Sequence, residues 1–104
     1  TLTLNVYFDM GSSRVYGTNL SKLEDLAAKL SGLGKQITIS ITGYAQPTPG
    51  SEATDGKLSE DRASAVAKIL RQFGVTTKVV YKGAGRATLN VPSSRYVKIV
   101  AANS

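Results

Sequence analysis

Residues 37–73 read ITISITGYAQPTPGSEATDGKLSEDRASAVAKILRQF, and the fold is predicted outward from this stretch. The stretch begins with isoleucines that alternate with small hydroxyl residues, a period that predicts a half-buried strand. The segment 43–57 has no period and contains two prolines and three glycines, which predicts a long irregular loop. From Leu58 to Phe73 the apolar residues recur at helical spacing, and Gly74 follows as a stop signal. A strand, a loop and a helix therefore follow one another here.

The rest of the chain extends this unit in both directions. Apolar periodicity predicts four further elements, which are strands over residues 2–8, 78–81 and 96–101 and a helix over residues 20–30. Gly32 and Gly34 are predicted to end that helix. The segment Gly83-Ala84-Gly85 is interpreted as a tight turn that leaves the third strand. The resulting order βαβαββ predicts an α/β sandwich, with both helices on one face of a mixed sheet.

The composition excludes several kinds of site in this chain of 104 residues. There is no cysteine, so neither a disulfide nor a thiolate metal site can form. Histidine is also absent, which removes the commonest general base and the commonest metal ligand. The adjacent acids Glu60 and Asp61 do not face each other on a helix and do not form a catalytic pair. We therefore expect no enzymatic activity, no metal site and no cofactor.

The formal net charge is +6 and the pI is about 9.8. The basic residues are scattered, without a polybasic run or an RNA-binding aromatic motif, so we expect no nucleic-acid partner. No stretch reaches the length of a membrane span, so we expect no direct membrane insertion of this domain. A signal peptide is not visible, and the first residue is not methionine. We expect residues 1–104 to be a single domain excised from a longer protein.

Arg62 is the charged residue with the least expected position. The pattern places it in the first turn of the second predicted helix, where the helix dipole favours acids by about 0.3–1 kcal/mol. Two interpretations remain open. Arg62 is either a surface arginine that pairs with Glu60, Asp55 or solvent, or a fork for a ligand carboxylate. Arg95, just before the last strand, is interpreted as an edge cation.

Several short motifs follow one another in the order found in one known family. Residues 6–9, VYFD, are similar to a first-strand motif I-x-F-D, and residues 37–44, ITISITGY, to a strand exit I-x-I-x-G-H/Y. Residues 58–66, LSEDRASAV, are similar to L-S-x-x-R-A-x-A-V, the most specific of these motifs. The pairs and triplets GV at 74–75, GAG at 83–85 and SRYV at 94–97 continue the order. On these motifs the chain resembles the OmpA-like (OmpA/MotB C-terminal) peptidoglycan-binding domain family over nearly its whole length.

The resemblance implies a noncatalytic site for the diaminopimelate residue of the peptidoglycan stem peptide. In that family an Asp of a T-D pair takes the ligand ammonium, and the Arg of an R-A pair takes the carboxylate. The Arg is present as Arg62, whereas Ala45-Gln46 replaces the T-D pair and Asp55 replaces an Asn before the L-S pair. Gln46 keeps an acceptor oxygen but carries no charge. Asp55 is therefore hypothesised to supply the missing anion.

We expect the ligand-binding residues to be Arg62 for the carboxylate, Asp55 or Gln46 for the amine, and Tyr44, Ala45 and Arg95 around them. The implied function is that of a noncatalytic domain that binds the stem peptide and anchors its parent protein to the cell wall. One alternative stays open, a degenerate OmpA-like domain that has lost peptidoglycan binding. Such a domain would serve as a structural or protein–protein interaction module, with another envelope protein as its partner. The expected location is the cell envelope, in the periplasm or on the outer face of the cytoplasmic membrane. The parent protein is expected to be membrane-anchored, including at the outer membrane, or secreted.

Overall fold

The structure, a computed structural model, describes residues 2–32 and 36–103. Its elements in chain order are β1 (Leu2–Tyr7), α1 (Gly17–Ser31), β2 (Ile37–Ala45), α2 (Glu52–Gln72), β3 (Lys78–Arg86), a 3-10 turn (Pro92–Ser94) and β4 (Tyr96–Asn103). The predicted order and α/β class are confirmed. Gly32 follows the last residue of α1, as predicted, while the predicted stop at Gly34 lies outside the described residues. In the described part of the chain, no helix has the length and apolar character needed to cross a membrane.

The four strands form one mixed sheet in the order β1-β4-β2-β3. β4 pairs antiparallel with both of its neighbours, so that Ala101 lies between Leu2 on one side and Ile39 on the other. β2 pairs parallel with β3, and α2 is the crossover that a parallel pair requires. The last strand of the chain therefore lies in the interior of the sheet, and β1 and β3 lie at its edges.

Both helices pack against the same face of the sheet. In β2, for example, Ile37, Ile39 and Ile41 are buried while Ser40 between them is exposed. One core cluster joins the inward residues of strands and helices, including Val6, Leu23, Leu26, Leu30, Val66, Leu70, Val97 and Ile99. Each such aliphatic side chain contributes about 1.5–3 kcal/mol by its burial. The core thus fixes the helices on the sheet and leaves the opposite sheet face without helices.

Two glycines allow α2 to lie close to the sheet. A Cβ atom at Gly43 would collide with the carbonyl oxygen of Ser59, and one at Gly83 would lie 2.5 Å from the backbone nitrogen of Glu60. The interpretation of the glycine-alanine-glycine segment as a turn that ends the third strand is therefore wrong. β3 continues through this segment, and its first glycine is the point of contact with the helix.

The loop after β2 is shorter than the sequence pattern predicts. β2 extends further because its last residues still pair with neighbouring strands, and α2 begins at Glu52, so the loop comprises residues 46–51. Asp55, predicted to lie in the loop, is buried in the first turn of α2, where a carboxylate complements the helix dipole. Arg62 lies in the middle of α2. Its predicted first-turn position is wrong, and the dipole argument does not apply to it.

Candidate functional site

Arg62 is a fully buried side chain with 0% of its surface exposed. Its guanidinium donates to three backbone carbonyl oxygens, from Nε to Ser12 at 2.8 Å, from Nη1 to Tyr44 at 2.9 Å and from Nη2 to Asp9 at 3.0 Å. Two of these carbonyls belong to the segment after β1 and one to the end of β2. We call this arrangement the carbonyl cage. It ties the segment after β1 and the end of β2 to the middle of α2.

The carbonyl cage holds a cation by dipoles. Within residues 2–32 and 36–103, no carboxylate lies within ion-pair distance of Arg62. The Phe8 ring centroid lies 5.2 Å from Cζ, which adds a cation–π contact. The pKa of Arg62 is lowered to about 10, chiefly by burial and in addition by the charge of Arg95, while the charge of Asp55 opposes both. The guanidinium is therefore still protonated at neutral pH.

The carbonyl cage rules out one of the two interpretations of Arg62 and leaves the other open. The surface interpretation is wrong, because the side chain is buried and its lost hydration is replaced by carbonyl oxygens. The ligand-fork interpretation stays a prediction. A guanidinium has five N–H groups, of which the carbonyl cage uses three. A ligand would reach the remaining N–H groups only after the groups that cover them move.

Asp55, a buried acid, forms an ion pair with Arg86, an exposed residue that the sequence reasoning missed. Its side chain is 2% exposed, and Oδ2 accepts a hydrogen bond from Arg86 Nε at 3.0 Å. Ser51 Oγ lies 2.9 Å from the same carboxylate oxygen. Arg86 also donates through Nη2 to the carbonyl oxygen of Thr48 at 3.2 Å. The acid that was expected to face a ligand thus closes the loop onto β3.

A β-bulge brings Arg86 to this position. Gly43 pairs with Gly83, but Ala45 pairs with Arg86, so β3 has one more residue than β2 over this stretch. Gly85 within the bulge has φ +79, a backbone conformation that glycine adopts without strain. Bulges re-aim side chains in this way and are frequent beside functional sites. The arginine consequently stands at the end of the sheet next to the loop.

Gln46 is held by two neighbours from the segment before β4. Its Oε1 accepts a hydrogen bond from Arg95 Nε at 2.7 Å, and its Nε2 donates to Asn90 Oδ1 at 2.6 Å. Arg95 is half-buried and Asn90 is exposed. The side chain that replaces the family aspartate therefore keeps a contact with a cation, but through a neutral amide oxygen.

Tyr44 and Ala45 complete the end of β2. The Tyr44 ring stacks on Tyr96, with centroids 4.6 Å apart and an interplanar angle of 18°. Burial is the main cause that raises the pKa of Tyr96, and the proximity of Tyr44 adds to it. Ala45 is fully buried, and its carbonyl oxygen accepts a hydrogen bond from the Ala87 amide at 2.8 Å. The side chain of Ala45 is thus part of the interior.

Arg62, Arg86 and Arg95 form what we call the arginine cluster. They donate to acceptors on three alternate residues of the short segment 44–48. The six residues predicted from the sequence, Tyr44, Ala45, Gln46, Asp55, Arg62 and Arg95, all lie at or beside this segment. Arg86 was missed, although a glycine-rich strand segment followed by a cation is a signal for a bulge. Among the described residues, no group of acids, cysteines or histidines could hold a metal ion.

The structure is an α/β sandwich of βαβαββ topology, with a mixed four-stranded sheet and two helices on one of its faces. The polar site lies at the carboxyl end of β2. The sequence of this sandwich matches one family model over residues 7–99, and the chain belongs to the OmpA family. The predicted resemblance is confirmed. No match was found among curated protein sequences.

Several solved structures share the fold. The OmpA-like domain of FopA1 from Francisella tularensis superposes with a TM-score of 0.84 at 24% identity, covering 97% of this chain and 72% of that one. The C-terminal domain of Helicobacter pylori MotB gives 0.83 at 20% identity, covering 95% and 83%. The peptidoglycan-associated lipoprotein from Burkholderia pseudomallei gives 0.82 at 23% identity, covering 94% and 89%. These likenesses establish the fold.

Proposed function

We propose that this chain is a noncatalytic cell-envelope domain that binds the diaminopimelate-containing stem peptide of peptidoglycan and anchors its parent protein to the cell wall. Membership of the OmpA family supports this function. One protein of the same fold is named as a peptidoglycan-associated lipoprotein, which supports the same ligand class. Another structure of this fold is named as the periplasmic domain of Helicobacter pylori MotB, which supports a location in the periplasm.

The observation that carries the proposal is the arginine cluster at segment 44–48. Guanidinium groups bind carboxylates with two parallel hydrogen bonds, and each charge-assisted bond contributes about 1.5–3 kcal/mol. Arg95 and Arg62 are the proposed carboxylate partners. Tyr44 forms a wall of the site, and the backbone groups of Ala45 and Gln46 line it.

The amine of the ligand has two candidate acceptors in this proposal, Asp55 and Gln46. Both are engaged within the chain, Asp55 by Arg86 and Gln46 by Arg95. Contact with the amine therefore requires that an existing bond is exchanged.

A second function is favoured by the burial of Arg62 at 0% exposure. If the carbonyl cage never opens, the domain holds no stem peptide and serves as a structural or protein–protein interaction module. Such a module is an OmpA-like domain that keeps the fold but no longer binds the ligand.

Titration of the isotope-labelled chain with a stem tripeptide that ends in meso-diaminopimelate tests the proposal. We expect backbone amide shifts confined to residues 44–55 and 86–95, with an affinity that falls about tenfold or more in Arg95→Gln. Lys82→Gln is the matched control, because it removes a positive charge from exposed β3 without touching the loop. Its affinity should stay within about twofold of the parent. Absence of shifts at millimolar peptide would favour the second function.

A further inference from the structure

The charges around segment 44–48 are unbalanced. The arginine cluster supplies three cations, whereas the one buried acid beside it is Asp55. Glu52 contributes a remote contact, with Oε1 3.9 Å from Arg86 Nη1, and its side chain is 62% exposed. Asp9 contacts Arg62 through its backbone oxygen, and its carboxylate accepts a hydrogen bond from the Tyr16 hydroxyl. The remaining acids, at positions 24, 25, 60 and 61, lie on the helices. In the described part of the chain the site therefore carries excess positive charge.

Asp55 is poorly placed to receive an ammonium group. It is 2% exposed, and its Oδ2 already accepts from Arg86 and lies next to Ser51 Oγ. A ligand ammonium would have to displace Arg86 and leave that guanidinium without its carboxylate. Because the Asp55 carboxylate is buried, taking its partner away is unfavourable, although solvent at the 37% exposed Arg86 side chain compensates part of the loss. Arg86 thus occupies the Asp55 carboxylate, which would otherwise balance the charge of the ligand amine.

Gln46 offers an ammonium no charge in compensation. Its Oε1 accepts from Arg95 and its Nε2 donates to Asn90. An ammonium at Oε1 would compete with a guanidinium for a neutral oxygen, and the two cations would repel each other. Neither candidate acceptor for the amine is therefore free in this structure.

A carboxylate meets the opposite situation. Arg95 is half-buried and its side-chain partner on the loop is a neutral amide oxygen, so a ligand carboxylate can replace that acceptor with a charged one. A carboxylate between Arg95 and Arg62 would also relieve the repulsion between these two cations, which lowers the pKa of Arg62. The exchange leaves the Asp55–Arg86 pair intact.

We propose that this site recognises the carboxylate at the distal carbon of the ligand and is indifferent to the ammonium on the same carbon. Arg95 is the cation that changes partner, and Arg86 is the specificity-determining residue that keeps Asp55 away from the amine. The inference rests on the proposed function and specifies which groups of the stem peptide the site binds.

Three synthetic tripeptides separate the two groups. They share their first two residues and end in meso-diaminopimelate, which carries both groups, in 2-aminopimelate, which lacks the distal ammonium, or in lysine, which lacks the distal carboxylate. Dissociation constants come from amide shifts of the labelled chain. We expect the aminopimelate peptide to bind within about twofold of the diaminopimelate peptide, and the lysine peptide to bind at least about tenfold more weakly.

The outcomes distinguish this inference from the proposed function. If the diaminopimelate peptide binds and the aminopimelate peptide binds about tenfold or more weakly, the ammonium is recognised and the inference is overturned while the function stands. If none of the three peptides binds, the function and the inference fail together. If the lysine peptide binds as well as the others, neither distal group is recognised and the inference fails.

A variant tests the role assigned to Arg86. Arg86→Gln removes the partner of Asp55, so the variant should prefer diaminopimelate over aminopimelate by about tenfold, whereas the parent shows no preference. Lys82→Gln on the same strand is the control and should keep the parental ratio. A parental ratio in folded Arg86→Gln, with folding verified by its amide spectrum, would overturn the assignment. If Arg86→Gln does not fold, Arg86→Lys gives the second measurement, because it keeps the charge and should keep the parental ratio.

Discussion

The carbonyl cage around Arg62 and the loop pairs of Arg86 and Arg95 use the same side chain for different ends. In the carbonyl cage the acceptors are three backbone carbonyls from distant parts of the chain, and the guanidinium is wholly buried. In the loop pairs the acceptors include the side chains of Asp55 and Gln46, and both arginines retain access to solvent. Carbonyls cannot leave without unfolding their segments, whereas side chains can change partner. The comparison separates an arginine whose acceptors are fixed by the fold from arginines whose side-chain acceptors can be exchanged.

The largest expected effect comes from opening the carbonyl cage. Arg62→Met leaves three buried carbonyl oxygens without a donor, so we expect the free energy of unfolding to fall by about 3–5 kcal/mol. Urea unfolding measures it. Arg71→Met is the control on the same helix, because Arg71 is exposed and donates once, to the Val75 carbonyl. It should cost about 1 kcal/mol or less. Equal losses in the two variants would remove the distinction between the carbonyl cage and an ordinary surface arginine.

A smaller effect is expected when α2 is pushed away from the carbonyl cage. The Cβ atom in Gly43→Ala would collide with the backbone of Ser59, and we expect a loss of about 2–3 kcal/mol. Gly56→Ala is the matched control. Gly56 lies in α2, and a Cβ atom there would meet no atom within 4 Å. That substitution should stabilise the protein by about 0.5–1 kcal/mol. Thermal unfolding of both variants gives the signs, and a neutral Gly43→Ala would mean that the helix can shift without cost.

The loop pair at Asp55 should respond less. Asp55→Asn removes the carboxylate charge from the bond to Arg86, whose side chain is 37% exposed, so solvent compensates part of the loss. We expect the free energy of unfolding to fall by about 1–2 kcal/mol. A double-mutant cycle with Arg86→Gln isolates the pair. A coupling energy near zero would show that the two residues do not act together.

The smallest effect on stability is expected at Arg95. Arg95→Gln exchanges one contact with a neutral amide, so the free energy of unfolding should change by about 0.5 kcal/mol or less. Binding of the diaminopimelate peptide should nevertheless fall about tenfold or more in the same variant. Unfolding and titration on one sample test both halves. A large loss of stability with unchanged binding would assign Arg95 to the fold instead of the ligand.

The element order was predictable because apolar residues repeat clearly along the core. The isoleucines of β2 are buried, and so are Leu23, Leu26 and Leu30 of α1, as their spacing indicates. The element ends were not predictable in the same way. β2 continues beyond Thr42 through Gly43, which has no side chain to show a period. α2 begins at Glu52 in a polar stretch that has no apolar stripe.

The site residues were predictable as a set, but their contacts were not. Arg62 was identified from its motif, yet its acceptors at Asp9 and Ser12 are backbone carbonyl oxygens, which every residue type carries. Arg86 became a partner of Asp55 through a bulge, which changes by one residue the position that faces the loop. Backbone acceptors and a register shift are properties of the folded chain, so periodicity and charge patterns do not contain them.

The interior position of β4 has a consequence for how the chain is made. β1 pairs with β4 and with no other strand in the described sheet, and β4 follows the other three strands in the sequence. Until β4 has been synthesised, β1 has no partner in this sheet and is not joined to β2. Pairing of Leu2 with Ala101 closes a loop of nearly the whole chain, and such distant contacts form slowly. The sheet is therefore expected to stay incomplete during synthesis until β4 is available.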